Sequence, residues 1–497
     1  MSELNKNSHR IEGLKLPYKL DQKPCHLENV RACGFYSIDS SGTYLADNSE
    51  MKYLYPPYLY RQTLEQPFDL NQDYDKIVPK VNVGSASLTN ITKWLRENPN
   101  KTQDVDFICF RGTFSTVMIS SLIENRLDWR IGAYLINKTI YLCNFDTELK
   151  KEDIKQQLSN PDSVRNSNWG FKFEQYMLSD DPVVKPDGKG ELNLNREFCV
   201  LYHAKMGHFN LLYGAEMDGI LKESKMNSED LSRELENVDF VELKTGKPVG
   251  LKMIKWWAQS YFVGIKNLIC GEKTENEVKS LKRIPVSDIL ETVNYKGKKI
   301  NECNCCNFIL EILEFIRNKL MSYEQGMYFL FEWDPRDRFR IRAYITDNPE
   351  YKFLTQDFIA SMNKLNVKEG DRIPSVSFKR TSDDKDEKRR EDETSKKRRQ
   401  DCDRQDAEGD DSQSREYHWD YESERRGNRE YHWNYNTEHR DNRRERERNV
   451  NSESYEGRQR QSRRYEEYPV DRSRDRHESS RNRSEQDKWH SNNVLDY

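Results

Sequence analysis

The chain has 497 residues, 33% of them charged and 35% hydrophobic, with a formal net charge of −4 at pH 7. The last 117 residues hold 28 Lys+Arg against 32 Asp+Glu, so the net charge resides there and residues 1–380 are formally neutral. No run of about 18 apolar residues occurs, which excludes a helix that spans a membrane, and the polar start MSELNKNSHR carries no hydrophobic signal region. An intracellular, reducing compartment is the default expectation.

Residues 1–30 read as an irregular lead-in. CGFYSIDSSGTYLADN (33–48) predicts a hairpin around Ser40-Ser41-Gly42, and Pro56-Pro57 opens a segment of loop and short turns that runs to Pro79. Leu88, Ile91, Trp94 and Leu95 form the apolar stripe of a helix over 85–98. VDFICFRGTFSTVMISSL (105–122) begins as a strand and turns at Arg111-Gly112, and 129–146 predicts a hairpin around Asn137-Lys138. Residues 148–158 read as a polar helix. In Gly170-Phe171-Lys172-Phe173-Glu174 the alternation resembles a half-buried edge strand, with Lys172 and Glu174 on one face.

A Pro/Gly-rich loop (179–194) precedes two strands over 196–219, whose His203 and His208 read as packing or surface histidines. Leu251, Ile254, Trp257, Ala258 and Tyr261 stripe a helix over 249–263, with Gln259 off the centre of the stripe. A second amphipathic helix covers 304–320. At its start, Cys303, Cys305 and Cys306 admit a zinc or redox site. No second Cys or His pair stands at zinc-ligand spacing, so free thiols, buried or partly buried, are the expectation. A last hairpin (327–346) puts Arg338, Arg340 and Arg342 on one face, a pattern that suits phosphates or a solvated sheet face.

Two domains follow: a globular one over 1–380 and a charged tail over 381–497. The tail has no Phe, Ile or Met, one Leu (Leu495) and three Val, too little apolar surface to offset its chain entropy, so disorder is expected. Arg415-Glu416-Tyr417-His418-Trp419 recurs as Arg429-Glu430-Tyr431-His432-Trp433. Arginines with interleaved aromatics can bind RNA, but the near-balanced charge argues against strong unaided binding. Lys388-Arg389-Arg390 and Lys396-Lys397-Arg398-Arg399 form a bipartite basic pair that suits nuclear import, which leaves a cytoplasmic pool open.

Chemistry concentrates in Phe209 to Gly264. Glu216-Met217-Asp218 and Glu242-Leu243-Lys244 each alternate at the period of a strand, so each charged pair shares a face of what reads as adjacent strands. Phosphodiester cleavage needs a nucleophilic water and charge stabilisation on the phosphoryl oxygens, and a divalent metal supplies both. Glu174, Glu216, Asp218 and Glu242 are hard oxygen donors for one or two ions of Mg²⁺ or Mn²⁺. Lys244 and Gln259 could position the water or contact the scissile phosphate, and Arg111, at a strand end beside a glycine, could meet a phosphate. Surface salt bridges produce the same spacing, so these residues alone leave both readings open.

Five motifs in one order narrow the choice: Phe110-Arg111-Gly112, Trp169-Gly170-Phe171-Lys172-Phe173-Glu174, Gly214-Ala215-Glu216-Met217-Asp218, Val241-Glu242-Leu243-Lys244-Thr245 and Lys255-Trp256-Trp257-Ala258-Gln259-Ser260. Together they resemble the DXO family of RNA 5′-end decapping exoribonucleases and its fungal relatives, through most of residues 30–345. The resemblance implies an α/β (α+β) fold of mixed β-sheets flanked by helices, with a PD-(D/E)XK nuclease-like core. It implies hydrolysis of abnormal RNA 5′ ends, which are triphosphates, incompletely methylated caps or NAD caps, with 5′→3′ exoribonuclease activity in some members. On this basis Glu174, Asp218 and Glu242 bind the divalent metal, Glu216 acts through water and Leu243 lends its backbone carbonyl. Lys244 and Gln259 sit by the scissile phosphate, and Arg111 and Glu174 help hold substrate. Fungal relatives stimulate a 5′→3′ exoribonuclease partner, so a nuclear RNA-binding adaptor is the rival to the enzyme. A DNA endonuclease ranks below both.

Overall fold

The computed structural model describes residues 8–16, 24–60, 62–81, 87–120, 122, 127–295, 298–337 and 340–367. The charged tail, its basic pairs and its near-repeat lie outside the described residues, as do Arg338 and Phe339.

Two mixed sheets organise these residues, which is the expected α/β class. The larger has ten strands in the order Ser8–Lys15, Arg340–Thr346, Tyr328–Trp333, Trp129–Ile136, Thr139–Phe145, Phe107–Phe110, Phe209–Glu216, Glu197–Met206, Leu27–Ile38 and Tyr44–Leu45. Its central strand Phe107–Phe110 runs parallel to both neighbours. A strand in that position is covered on both sides, which is why FICF shows no polar alternation. Phe107 and Cys109 enter one core and Ile108 the other. Helices Arg111–Ser120, Leu251–Phe262 and Glu302–Met321 supply the first core, and helices Thr89–Glu97 and Gln356–Val367 the second.

The smaller sheet has seven strands in the order Leu178–Ser179, Tyr53–Leu54, Gly219–Leu221, Asp239–Thr245, Asn267–Thr274, Glu277–Pro285 and Thr63–Asp69. Asp239–Thr245 pairs in parallel with Asn267–Thr274, and helix Leu251–Phe262 makes the crossover between them. The predicted stripe of that helix holds, and burial extends beyond it to Met253, Trp256 and Phe262.

The hairpins at 129–146 and 327–346 and the helices at 89–97, 148–158 and 302–321 fall where periodicity puts them. Other segments depart from expectation. The lead-in contains a strand: Ser8–Lys15 pairs antiparallel with Arg340–Thr346, so its partner is more than 300 residues away. The segment after Pro56-Pro57 contains the edge strand Thr63–Asp69, which tolerates Pro67 because one side of an edge needs no donor. Residues 169–177 form a helix, not a strand. Nothing in WGFKFEQYM is β-branched, the Lys172 N–H donates to the Asn168 carbonyl, and Phe173 and Met177, four apart, are both buried. This helix packs against the smaller sheet, where Gly271 makes room for it: a Cβ there would stand 2.6 Å from the Phe173 ring.

Candidate active site

Strand Asp239–Thr245 divides its side chains by parity. Val241 and Leu243 enter the core beneath helix Trp169–Met177. Glu242 and Lys244 take the other face, where their side chains are only 1% and 6% exposed. Buried charge is costly unless it is paired and hydrogen-bonded. Here Lys244 Nζ lies 2.6 Å from Glu242 Oε1, and Arg111 Nη1 lies 3.3 Å from Glu242 Oε2. Arg111 is the first residue of helix Arg111–Ser120, immediately after strand Phe107–Phe110. That junction, where a turn was expected, carries the guanidinium across to the smaller sheet. The same Nη1 donates to the backbone carbonyl of Gln259 at 3.5 Å, which ties it to helix Leu251–Phe262.

Asp218 reaches this cluster by a different route from the one its spacing suggests. The strand carrying Glu216 ends at that residue and belongs to the larger sheet. Met217 donates its N–H to the Phe198 carbonyl as the last rung, and the chain then crosses to the smaller sheet, where Gly219–Leu221 pairs antiparallel with Asp239–Thr245. Glu216 and Asp218 therefore flank a change of sheet rather than share a strand face. The neighbour of the Glu242 strand is Gly219–Leu221, not the strand that bears Glu216. The outcome still serves the site, since Asp218 Oδ2 accepts the Leu243 N–H at 2.5 Å. This bond ties the Leu243 backbone to Asp218 through the N–H.

Glu216 closes its strand half-buried, and Glu174 stands half-buried on helix Trp169–Met177. Sequence reasoning missed Tyr202. Its ring stacks on Tyr213, its hydroxyl lies 3.6 Å from Met217 Sδ, and it feels the charges of both Arg111 and Glu242. The signal was the alternation Val200, Tyr202, Ala204, which sends all three into the core that the site helices line.

The carboxylates differ in proton affinity for physical reasons. Burial pushes Asp218 up to about 7, and the neighbouring Glu242 charge adds to the rise against Lys244. Burial also raises Glu242, but Lys244 and then Arg111 outweigh it and hold the carboxyl below its ordinary value. Burial lowers Lys244, and Glu242 and Asp218 reverse that, so it stays ammonium. Asp218 and Glu242 face two cations, Lys244 and Arg111, so the four charges balance formally, and the rise at Asp218 comes first from burial. Hard carboxylate oxygens, with Glu174 and Glu216 adding negative charge from adjoining elements, fit a divalent cation of the Mg²⁺ or Mn²⁺ kind. Among the described residues no three His, Cys, Asp or Glu side chains already form a shell around one point. The fit therefore rests on Asp218 and Glu242, with Glu174 and Glu216 on the adjoining elements.

The thiols resolve as expected. Cys305 and Cys306 are buried and Cys303 half-buried, all free. His203 is largely buried, with its pKa lowered by burial, and His208 packs on Phe209 beside Glu314. Arg342 pairs with Asp334 and Asp337, as befits a sheet face, and Arg340 is exposed.

A mixed sheet that presents an acid just before one strand and Glu-x-Lys on the neighbouring strand, with a crossover helix behind, defines a PD-(D/E)XK nuclease. The family model "RAI1 like PD-(D/E)XK nuclease" matches residues 28–359, and the chain belongs to that family. The "Decapping and exoribonuclease protein" of Bos taurus is 28% identical over 338 residues, spanning 64% of this chain and 80% of the relative. The Drosophila melanogaster "Decapping and exoribonuclease protein Rai1" is 30% identical over 276 residues, 49% of this chain and 69% of the relative. Among solved structures, Candida albicans Rai1 in complex with pU5-Mn²⁺ superposes with a TM-score of 0.57 at 18% identity, over 71% of this chain and 100% of that one. Scheffersomyces stipitis Rai1 in complex with (3′-NADP)⁺ and calcium ion gives 0.56 at 19% identity, over 72% and 99%. The residues matched by the family model contain the carboxylate cluster and end before the tail.

Proposed function

We propose that this chain is a divalent-metal-dependent hydrolase that removes abnormal groups from RNA 5′ ends: the pyrophosphate of a triphosphate, an incompletely methylated cap or an NAD cap. The observation that carries the reading is the cluster of buried Glu242 and Lys244 with half-buried Asp218 and Arg111 within the family's matched span. Relatives named for decapping and exoribonuclease activity, and neighbours solved with pU5-Mn²⁺ and (3′-NADP)⁺, support the substrate class.

Each residue has a task that its position permits. Asp218 and Glu242, with Glu174 and Glu216, hold Mg²⁺ or Mn²⁺, and Leu243 contributes its backbone carbonyl. When bound, the metal supplies a nucleophilic water near neutral pH and polarises the phosphoryl oxygen. Lys244, kept charged by the two acids, meets the negative charge that grows on the phosphoryl group. Arg111 is anchored by Glu242 and by the Gln259 carbonyl, so its guanidinium is oriented before a phosphate arrives. Gln259 aligns the attacking water. No histidine is needed as a base.

The basic pairs at 388–390 and 396–399 support nuclear import, and with it a role in RNA 5′-end quality control. A 5′→3′ exoribonuclease that consumes the exposed monophosphate end is the protein partner consistent with this product.

The test is purified protein with Mn²⁺ or Mg²⁺, given RNAs with a 5′-triphosphate, an unmethylated cap or an NAD cap, with chelator as control. Metal-dependent release of the 5′ group from at least one RNA is expected. Cutting of circular DNA with all three RNA ends left intact would replace the reading with an endonuclease.

A further inference from the structure

The cysteine cluster that plays no part in phosphate chemistry holds an arrangement of its own. His26 stands just before strand Leu27–Ile38, and Glu302 and Cys303 open helix Glu302–Met321. The His26 ring lies between them: Nδ1 is 2.9 Å from Glu302 Oε1, and Nε2 is 3.4 Å from Cys303 Sγ.

Hydrogen-bond chemistry sets the tautomer. An ionised carboxylate only accepts, so Nδ1 carries the proton and donates to Glu302. Tyr261 donates its hydroxyl to the same Glu302 oxygen at 2.8 Å and accepts the Leu27 N–H at 3.0 Å, which fixes the carboxylate in place. The Nε2 lone pair therefore faces the thiol. This is the order nucleophile, base, orienting acid, with each group in reach of the next.

Other thiols nearby lack such a base. Burial raises Cys25, pushes Cys306 up to about 12 and raises Cys305 further. Cys303 is half-buried rather than buried, and the His26 side chain is 51% exposed, so a small molecule can reach the pair from solvent.

We propose that Cys303 is a nucleophilic thiol activated by His26, and that it takes small-molecule disulfides as its ligand class. His26 Nε2 removes the thiol proton. The Cys303 thiolate attacks one sulfur of the disulfide, so a bond forms between Cys303 Sγ and that sulfur while the original S–S bond breaks. The departing thiolate recovers the proton from His26. Cys303 ends oxidised as a mixed disulfide, and half of the small molecule ends reduced as a free thiol. Glu302 is a positioning residue that holds the ring and stabilises its transient charge.

The test uses the full chain with oxidised glutathione as the probe and peptide mass spectrometry to follow each cysteine separately, including Cys402 of the tail. Cys33 is the internal comparison, since it is also half-buried and burial pushes its thiol up to about 12. Cys303 is expected to form its mixed disulfide about tenfold faster than Cys33 or more. His26→Gln should slow Cys303 about tenfold and leave Cys33 unchanged, and Glu302→Gln should slow it by less. A Cys303 rate no faster than that of Cys33, or one that His26→Gln leaves unchanged, overturns the proposal.

Discussion

Glu242 and Lys244 stand two residues apart on one strand, and their side chains meet at 2.6 Å with 1% and 6% exposure. Arg111 completes a buried group of two cations around one carboxylate. Removing the carboxylate leaves Arg111 and Lys244 without their direct partner in a poorly hydrated place, with Asp218 as the remaining acid. Glu242→Ala is therefore expected to lose about 3–5 kcal/mol of stability, measured by urea unfolding without metal. Glu242→Gln keeps the shape and hydrogen-bond acceptor of the side chain and should lose less.

Asp218 gives the metal-free protein a distinct pH dependence. Its folded-state pKa, about 7, lies above its ordinary 3.8, so folding favours the protonated form. The stability this contributes is full below about 3.8, declines as pH rises and is gone above about 7. A divalent cation binds the deprotonated form, so its affinity should grow over the same range. The rise in melting temperature caused by Mn²⁺ is expected to be larger at pH 8 than at pH 5.5, and Asp218→Asn should shrink that difference. An equal rise at both pH values in the unmodified chain would refute the electrostatic argument for Asp218.

Arg111→Lys tests whether the guanidinium orients or merely charges the site. Lysine keeps the charge, but its flexible ammonium does not fix a nitrogen against Glu242 and the Gln259 carbonyl as the rigid guanidinium fixes Nη1. Steady-state assays should show kcat/KM reduced about 10–100-fold, with a smaller stability loss than for Glu242→Ala. Unchanged kcat/KM would remove Arg111 from substrate binding.

Much of the site was legible because a strand writes its two faces into alternate residues, and Glu242-Leu243-Lys244 does so with opposite chemistries. Asp218 was found for a partly wrong reason. Its spacing from Glu216 suggested one strand, whereas the chain changes sheets between them, and no local pattern marks that crossing. The Glu174 segment misled because Phe-Lys-Phe-Glu alternates like a strand. Helix formation there is decided by Phe173 and Met177 packing on the smaller sheet, a contact made with distant residues. Ser8–Lys15 was illegible for the same reason, as its ladder partner comes from the other end of the described chain. Tyr202 was hidden among many apolar strand residues, since only the assembled fold shows that Arg111 and Glu242 are its neighbours.

Location and catalysis are expected to separate at the tail. Truncation after residue 380 removes both basic clusters but none of the cluster residues. Hydrolysis of short RNA by the truncated protein should stay close to that of the full chain, and microscopy of a tagged form should show it leaving the nucleus. Retained nuclear signal would eliminate the import role of residues 388–399.

The most direct measurement follows 5′-triphosphate, unmethylated-cap and NAD-cap RNAs with Mn²⁺, comparing the unmodified chain with Glu242→Gln after both are shown to be folded. The unmodified chain should release the 5′ group from at least one RNA, and Glu242→Gln should lose at least about 100-fold in rate. Equal rates for the two proteins on all three RNAs would contradict the assignment of the Glu242 cluster as the catalytic centre.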